Sequence, residues 1–211
     1  MLRHHREIKT EGIVLRSRPY GEENRIIRLC TFSEGIIDVI VKRITPRTSR
    51  IVSLTAPLCR GEYVLRRGRS DLFVFMEGTV TDLHPYLRTS LTVLTCAGNM
   101  FRVVGALWVL GKPMPAPYRL LVLYLRHLPA APDTLVAGFT IKLLLHEGLI
   151  VCEKEVIRTA HVTYDIDPDD RPVLALLAFG RDLRVLKKTV VSDRLRERIA
   201  TLLRDVLVTL N

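Results

Sequence analysis

The sequence predicts an α+β protein in which an all-β domain precedes an all-α one, and three observations carry that expectation. Through residues 1–82, apolar side chains recur at every second position in short runs punctuated by glycine and proline. From His84-Pro85 onward the period lengthens to about 3.6, that of helices burying one face, which sets a helical domain over residues 83–211. Nearly half of the 211 residues are apolar (48%), enough to fill two modest cores.

Within the first domain, Glu7 to Arg16 alternates around Ile8, Ile13, Val14 and Leu15 and reads as a strand, broken by Arg18-Pro19-Tyr20-Gly21-Glu22. Arg25 to Phe32 and Ile36 to Ile44 are two further β-branched runs. Ser33-Glu34-Gly35 joins them, the glycine supplying the positive φ of a tight hairpin. In the second run Ile37, Val39 and Val41 share a buried face, and Asp38 and Lys42 the wet one. Arg47 to Leu54 has room for a short helix, and Gly61 to Arg67 and Leu72 to Thr81 then flank Gly68-Arg69-Ser70-Asp71 as a second hairpin. Three strands, a short helix and two strands is the order of an OB-fold, a five-stranded barrel, so an OB-fold nucleic-acid-binding domain is expected over residues 1–82.

In the second domain Pro85 suits the first turn of a helix from Tyr86 to Leu110. Gly111 to Pro117, with three prolines, reads as a stiff non-helical linker, and Tyr118 to Leu128 as a second helix. Asp133 or Thr134 caps a third helix ending near Gly148. Ser192 is a good N-cap for the last, whose stripe runs Leu195, Ile199, Leu202, Leu203, Val206, Leu207 and Leu210. Helices are expected to the end of the chain.

The formal net charge is +10, and residues 1–80 carry fifteen basic against nine acidic side chains. Such a surface suits a polyanion. No apolar stretch approaches a membrane span and the first residues lack an apolar segment, so neither a membrane nor a secretory route is expected. Cys30, Cys59, Cys96 and Cys152 are scattered, which predicts reduced, mostly buried thiols and no metal. Asp165, Asp167, Asp169 and Asp170 fail the calcium-loop pattern, with aspartate where glycine is required, and read as a loop capping the helix near Pro172. No phosphate-binding loop and no positioned nucleophile and base occur, so no enzyme and no cofactor is expected.

The cations that stand out are Lys42, Arg43, Arg47 and Arg50, four within nine residues free of acids, joined by Arg66, Arg67 and Arg69 at the second hairpin and Arg18 near the first turn. These are the expected phosphate contacts. Tyr20, Tyr63, Phe73 and Phe75 are the aromatic candidates for stacking on bases. Strand parity favours packing for the two phenylalanines and leaves Tyr20 as the stacker. An RNA-binding barrel protein of the translation machinery would use the same cations, and a protein-binding adaptor would carry them incidentally.

The run Glu11-Gly12-Ile13-Val14-Leu15-Arg16-Ser17-Arg18-Pro19-Tyr20-Gly21-Glu22, then Asn24 to Gly35, Ser49 to Leu58 and Leu65 to Arg69, resembles the amino-terminal domain of the RecO family. The helical remainder resembles that family's second domain more loosely. The resemblance implies a cytoplasmic, nucleoid-associated bacterial protein of recombinational DNA repair (the RecF pathway). It implies binding to single- and double-stranded DNA, annealing of complementary strands, and help in loading RecA onto strands coated by single-strand binding protein. RecR and the acidic tail of the coating protein are the implied partners, with Arg194, Arg198 and Arg204 on the last helix as the tail's expected contacts. Many relatives carry a four-cysteine zinc site in the helical domain. Here only Cys152 falls near its first position, and one thiolate cannot hold zinc.

Overall fold

The computed structural model describes residues 7–44, 49–68, 72–108 and 111–210. Strands β1 (Glu7–Tyr20), β2 (Asn24–Thr31), β3 (Gly35–Val41), β4 (Arg60–Arg67) and β5 (Phe73–Asp82), with helix α1 (Ser49–Leu54) between β3 and β4, close a barrel in the order β1-β2-β3-β5-β4. Every neighbouring pair is antiparallel except β3 with β5, where Val39 lies beside Phe73 and Ile40 beside Val74. This is the OB-type barrel the alternation predicts.

β1 outlasts its expected end at Arg16. Its first half pairs with β4 and its second with β2, and a bulge between Val14 and Arg16 bends the strand from one partner to the other. The second half has β2 on one side only, so Pro19, which lacks an N–H, breaks no ladder there. The turn therefore falls at Gly21 (φ 65°) to Glu23.

Val14, Ile27, Leu29, Ile37, Val39, Val41, Leu65 and Phe73 fill the barrel, with Leu54 and Cys59 in the same cluster. Tyr63 belongs to this core as well: it is fully buried and its hydroxyl donates to the Leu54 carbonyl at 3.0 Å. The expectation that Tyr63 stacks on bases is thereby corrected, because a ring shut inside the barrel meets no ligand. Phe73 is buried and Phe75 packs edge-on against Tyr63 at 6.4 Å, which is the packing parity favours for both.

The described chain forms two compact units. One runs to Pro85 and takes back Trp108–Arg119; the other comprises Tyr86–Leu107 and everything from Leu120. In the second, a 3-10 turn (Pro85–Arg88) leads to α2 (Leu91–Leu107), so the helix expected from Tyr86 starts later. α3 (Pro115–His127) begins inside the stretch read as a non-helical linker. Proline at the first helical positions forfeits only an N–H that has no partner in any helix, so Pro115 and Pro117 begin the helix rather than stop it. α4 (Pro132–His146) ends at Gly148 (φ 68°), with the Leu149 and Gly148 amides donating back to the Leu144 and Leu145 carbonyls.

After α4 the chain forms a small antiparallel sheet, β6 (Val151–Cys152), β7 (Val156–Arg158) and β8 (Thr163–Asp165), where only helices were expected. α5 (Arg171–Phe179), α6 (Leu183–Leu186) and α7 (Asp193–Leu210) follow. Ser192 caps α7 as expected, its hydroxyl accepting from the Leu195 amide at 3.0 Å and donating to Asp170 at 2.8 Å. Leu195, Ile199, Leu202 and Val206 are buried, whereas the stripe's last residue, Leu210, is exposed. Cys30, Cys59 and Cys96 are buried and form no disulfide among the described residues, and partial burial pushes the Cys152 thiol up to about 11. Among the described residues no helix is long and apolar enough to cross a membrane.

Candidate nucleic-acid interface

Strand parity decides what the barrel shows to solvent. Because Ile27 and Leu29 of β2 and Ile37, Val39 and Val41 of β3 point inward, Ile26, Arg28 and Cys30 point outward beside Ile40, Asp38 and Ile36. On β1 the outward partners of Cys30, Arg28 and Ile26 are Ile13, Arg16 and Arg18. One outer face thus carries three apolar residues at one end and three arginines at the other.

The apolar end is covered from within the same unit. The Gly111 amide donates to the Ile36 carbonyl at 2.9 Å, and Tyr118 meets Phe32 edge-on at 6.0 Å and donates to Glu11 at 2.8 Å. The Arg119 guanidinium lies 5.1 Å from the Phe32 ring centre. Ile13, Cys30 and Ile36 are consequently buried, and the Cys30 thiol is held far above its ordinary range by loss of solvent.

The cationic end stays open. Arg16, Arg18, Ile26, Arg28 and Asp38 line a groove of about 240 Å³. Within it, Arg28 donates through Nε and Nη2 to the two Asp38 oxygens at 2.8 and 2.7 Å, a bidentate pair that raises the guanidinium pKa further. Arg16 and Arg18 are exposed and meet no carboxylate among the described residues.

Beside this groove stands the rim that the sequence singles out. Tyr20, half exposed, ends β1; Lys42 and Arg43, both exposed, leave β3. The two segments are tied together, since the Ile44 amide donates to the Glu23 carbonyl at 2.7 Å and the Arg43 amide to the Asn24 side chain at 3.3 Å. Arg43 itself adopts φ 58°. Arg18, Tyr20, Lys42 and Arg43 are thereby brought to one end of the β1–β2–β3 face. Arg67 stands at the β4–β5 hairpin with its guanidinium 5.7 Å from the Phe73 ring, and Phe73 is the neighbour of Val39 in β3.

Two other candidates lie elsewhere on the barrel. Arg66 belongs to an ion-pair ladder across β1 and β4, made of Arg66 with Glu7 (2.9 Å), Lys9 with Glu62 (3.1 Å) and Arg60 with Glu11 (2.9 Å). Arg50 reaches from α1 to the Thr79 hydroxyl of β5 at 3.2 Å. Arg47 and Arg69 lie outside the described residues. Arg16, Arg28 and Asp38 are not among the contacts expected from the sequence, although Arg16 and Arg18 alternate on one strand and so share a face.

In the second unit, Arg194 is paired with Asp167, Arg198 lies 5.9 Å from the Tyr164 ring and Arg204 donates to Thr201 at 3.0 Å. The acidic loop does not cap the helix near Pro172 as expected: Asp170, at the start of α5, makes no side-chain cap bond there and instead accepts from Ser192 at 2.8 Å, while Asp167 accepts from the Asp169 amide at 3.2 Å and caps the 3-10 turn Pro168–Asp170.

Comparison with known proteins agrees with the barrel. Residues 5–84 match the family model of the recombination protein O N-terminal domain. DNA repair protein RecO of Pelotomaculum thermopropionicum is 33% identical over 130 residues, 61% of this chain and 50% of that protein. The RecO proteins of Bacillus pumilus (29% over 135 residues, 64% of this chain and 52% of that protein) and Chlamydia pneumoniae (27% over 146, 68% and 58%) are also similar. The matches span about half the length of these relatives. They extend past residue 84 into the helices, so the chain is similar to RecO proteins beyond its barrel, and residues 5–84 match the amino-terminal domain of that family.

Proposed function

We propose that this protein is a DNA-binding mediator of recombinational DNA repair. In this reading it anneals complementary single strands and helps load RecA onto strands coated by single-strand binding protein, with RecR and the acidic tail of the coating protein as its protein partners. The observation that carries the reading is the gathering of Arg16, Arg18, Lys42 and Arg43, without carboxylate partners among the described residues, beside an exposed Tyr20 on the β1–β2–β3 face. Such a surface binds strands through phosphates and ring faces with little regard for sequence. Annealing then requires no covalent step: cations that neutralise two strands remove the repulsion between them.

The test is a salt titration of single-strand affinity. With about five phosphates neutralised, log affinity falls against log salt with a slope near −3.5. A flat response contradicts the proposal. Competition with RNA strands of matched sequence separates it from a translation-machinery role.

The acidic tail is assigned to α7, where Arg198 and Arg204 bear no carboxylate partner among the described residues while Arg194 is held by Asp167. Substituting all three by glutamine is expected to weaken binding of an acidic peptide at least about tenfold, measured by fluorescence anisotropy, since charge-assisted bonds contribute about 1.5–3 kcal/mol each. Undiminished peptide binding would place the tail elsewhere.

A further inference from the structure

We infer that the groove formed by Arg16, Arg18, Ile26, Arg28 and Asp38 is a seat for one unpaired nucleotide, with its base laid on the Arg28–Asp38 pair and its flanking phosphates taken by Arg16 and Arg18. The inference rests on the DNA-binding reading above and names what that face holds. Three arginines converge on the groove, yet they are not equivalent. Arg28 is already neutralised by Asp38 through two bonds at 2.8 and 2.7 Å, so its charge is spent before any strand arrives. A bidentate pair of this kind fixes the guanidinium plane and makes no use of its faces, and a guanidinium face stacks on aromatic rings as a base requires. The Arg28 side chain is 38% exposed, and Ile26 beside it adds an apolar wall.

Arg16 and Arg18 have the opposite character. They are exposed, share one face of β1 two residues apart, and meet no carboxylate among the described residues. Register puts Arg16 directly across from Arg28 and Arg18 across from Ile26, so the two free cations border the neutral platform along its length. A neutral planar floor with cations along one side matches a nucleotide unit, which is a flat ring system on a phosphate chain. A duplex keeps its base faces stacked and offers only phosphates. The seat therefore discriminates unpaired strand from duplex, a distinction that charge alone does not make.

The test compares the affinity of the full chain for an oligothymidylate and for an abasic strand of equal length, by fluorescence anisotropy. The wild-type chain is expected to favour the base-bearing strand about tenfold. Arg28→Lys, which keeps the charge and loses the plane, erases that preference and leaves abasic affinity and salt slope unchanged. Asp38→Asn gives the sharpest contrast. It adds a positive charge, so simple electrostatics requires tighter binding to both strands, whereas the seat requires a weaker hold on the base-bearing strand relative to the abasic one. Arg16→Gln and Arg18→Gln weaken both strands and reduce the salt slope by about 0.7 each. The seat is overturned if the wild-type chain binds the two strands equally, or if Arg28→Lys retains the preference or weakens both strands alike. Failure of the wild-type chain to bind either strand overturns the DNA-binding reading itself, a separate result.

Discussion

Replacing Gly35 by alanine is expected to destabilise the barrel unit by about 2–5 kcal/mol. Gly35 opens β3 with φ 69°, a backbone region in which a Cβ crowds the following carbonyl. The β2–β3 hairpin is fixed in that shape by Thr31, whose hydroxyl donates to the Gly35 carbonyl at 2.8 Å and accepts from the Glu34 amide at 3.0 Å. A Cβ at Gly35 would also stand 2.0 Å from the Lys112 carbonyl oxygen, which is backbone and cannot swing aside. The substitution therefore charges the fold twice, once for the dihedral and once for lifting residues 111–119 off the sheet. Gly111→Ala is the control: φ is 74° and nothing lies within 4 Å, so only the dihedral cost of about 1–2 kcal/mol applies. Urea denaturation of both variants decides the matter. Equal losses would show that the segment does not press on Gly35.

The second large effect is electrostatic. Reversing Arg18, Lys42 and Arg43 to glutamate together is expected to lower single-strand affinity at low salt by about 100-fold or more, because three phosphate partners become repulsive. Arg66→Glu, set against the single reversal Arg43→Glu so that each changes the charge equally, is the matched control. Arg66 is paired with Glu7 on the ladder face, away from the rim, so its reversal costs a modest ion pair of about 1 kcal/mol in stability and little affinity. Anisotropy measured on the two single variants distinguishes a localised rim from a diffuse response to net charge. Equal losses would contradict the rim.

The barrel was legible because each of its strands is long enough to show alternation, and the Ile37, Val39, Val41 face of β3 is the clearest case. Strands β6 to β8 were not, since two or three residues such as Val151–Cys152 cannot display a period. The linker reading of Gly111 to Pro117 failed because proline signals both the end and the beginning of a helix, and which applies depends on neighbours that lie far away in sequence. Ile36, Gly35 and Phe32 hold residues 111–119 through contacts across some eighty residues of chain.

The candidate interface divides in the same way. Lys42 and Arg43 stood out because their cations crowd together in sequence. Arg66 looked equivalent to them until strand register placed Glu7 opposite it, and Arg28 drew no notice until register set Asp38 at its side. Charge density marks where cations are. Only the pairing of strands reveals which of them are already satisfied, and Tyr63 makes the same point for rings, since its place inside the barrel follows from closure of β4 against β1 and β5.

The most direct measurement follows the annealing of two complementary oligonucleotides, bare and coated with single-strand binding protein, with the wild-type chain and with the Arg18, Lys42, Arg43 reversal variant. The account requires that the wild-type chain accelerate annealing of both substrates and that the variant, folded by thermal melting, lose that acceleration. Annealing that proceeds equally with the wild-type chain, the variant and no protein would contradict it.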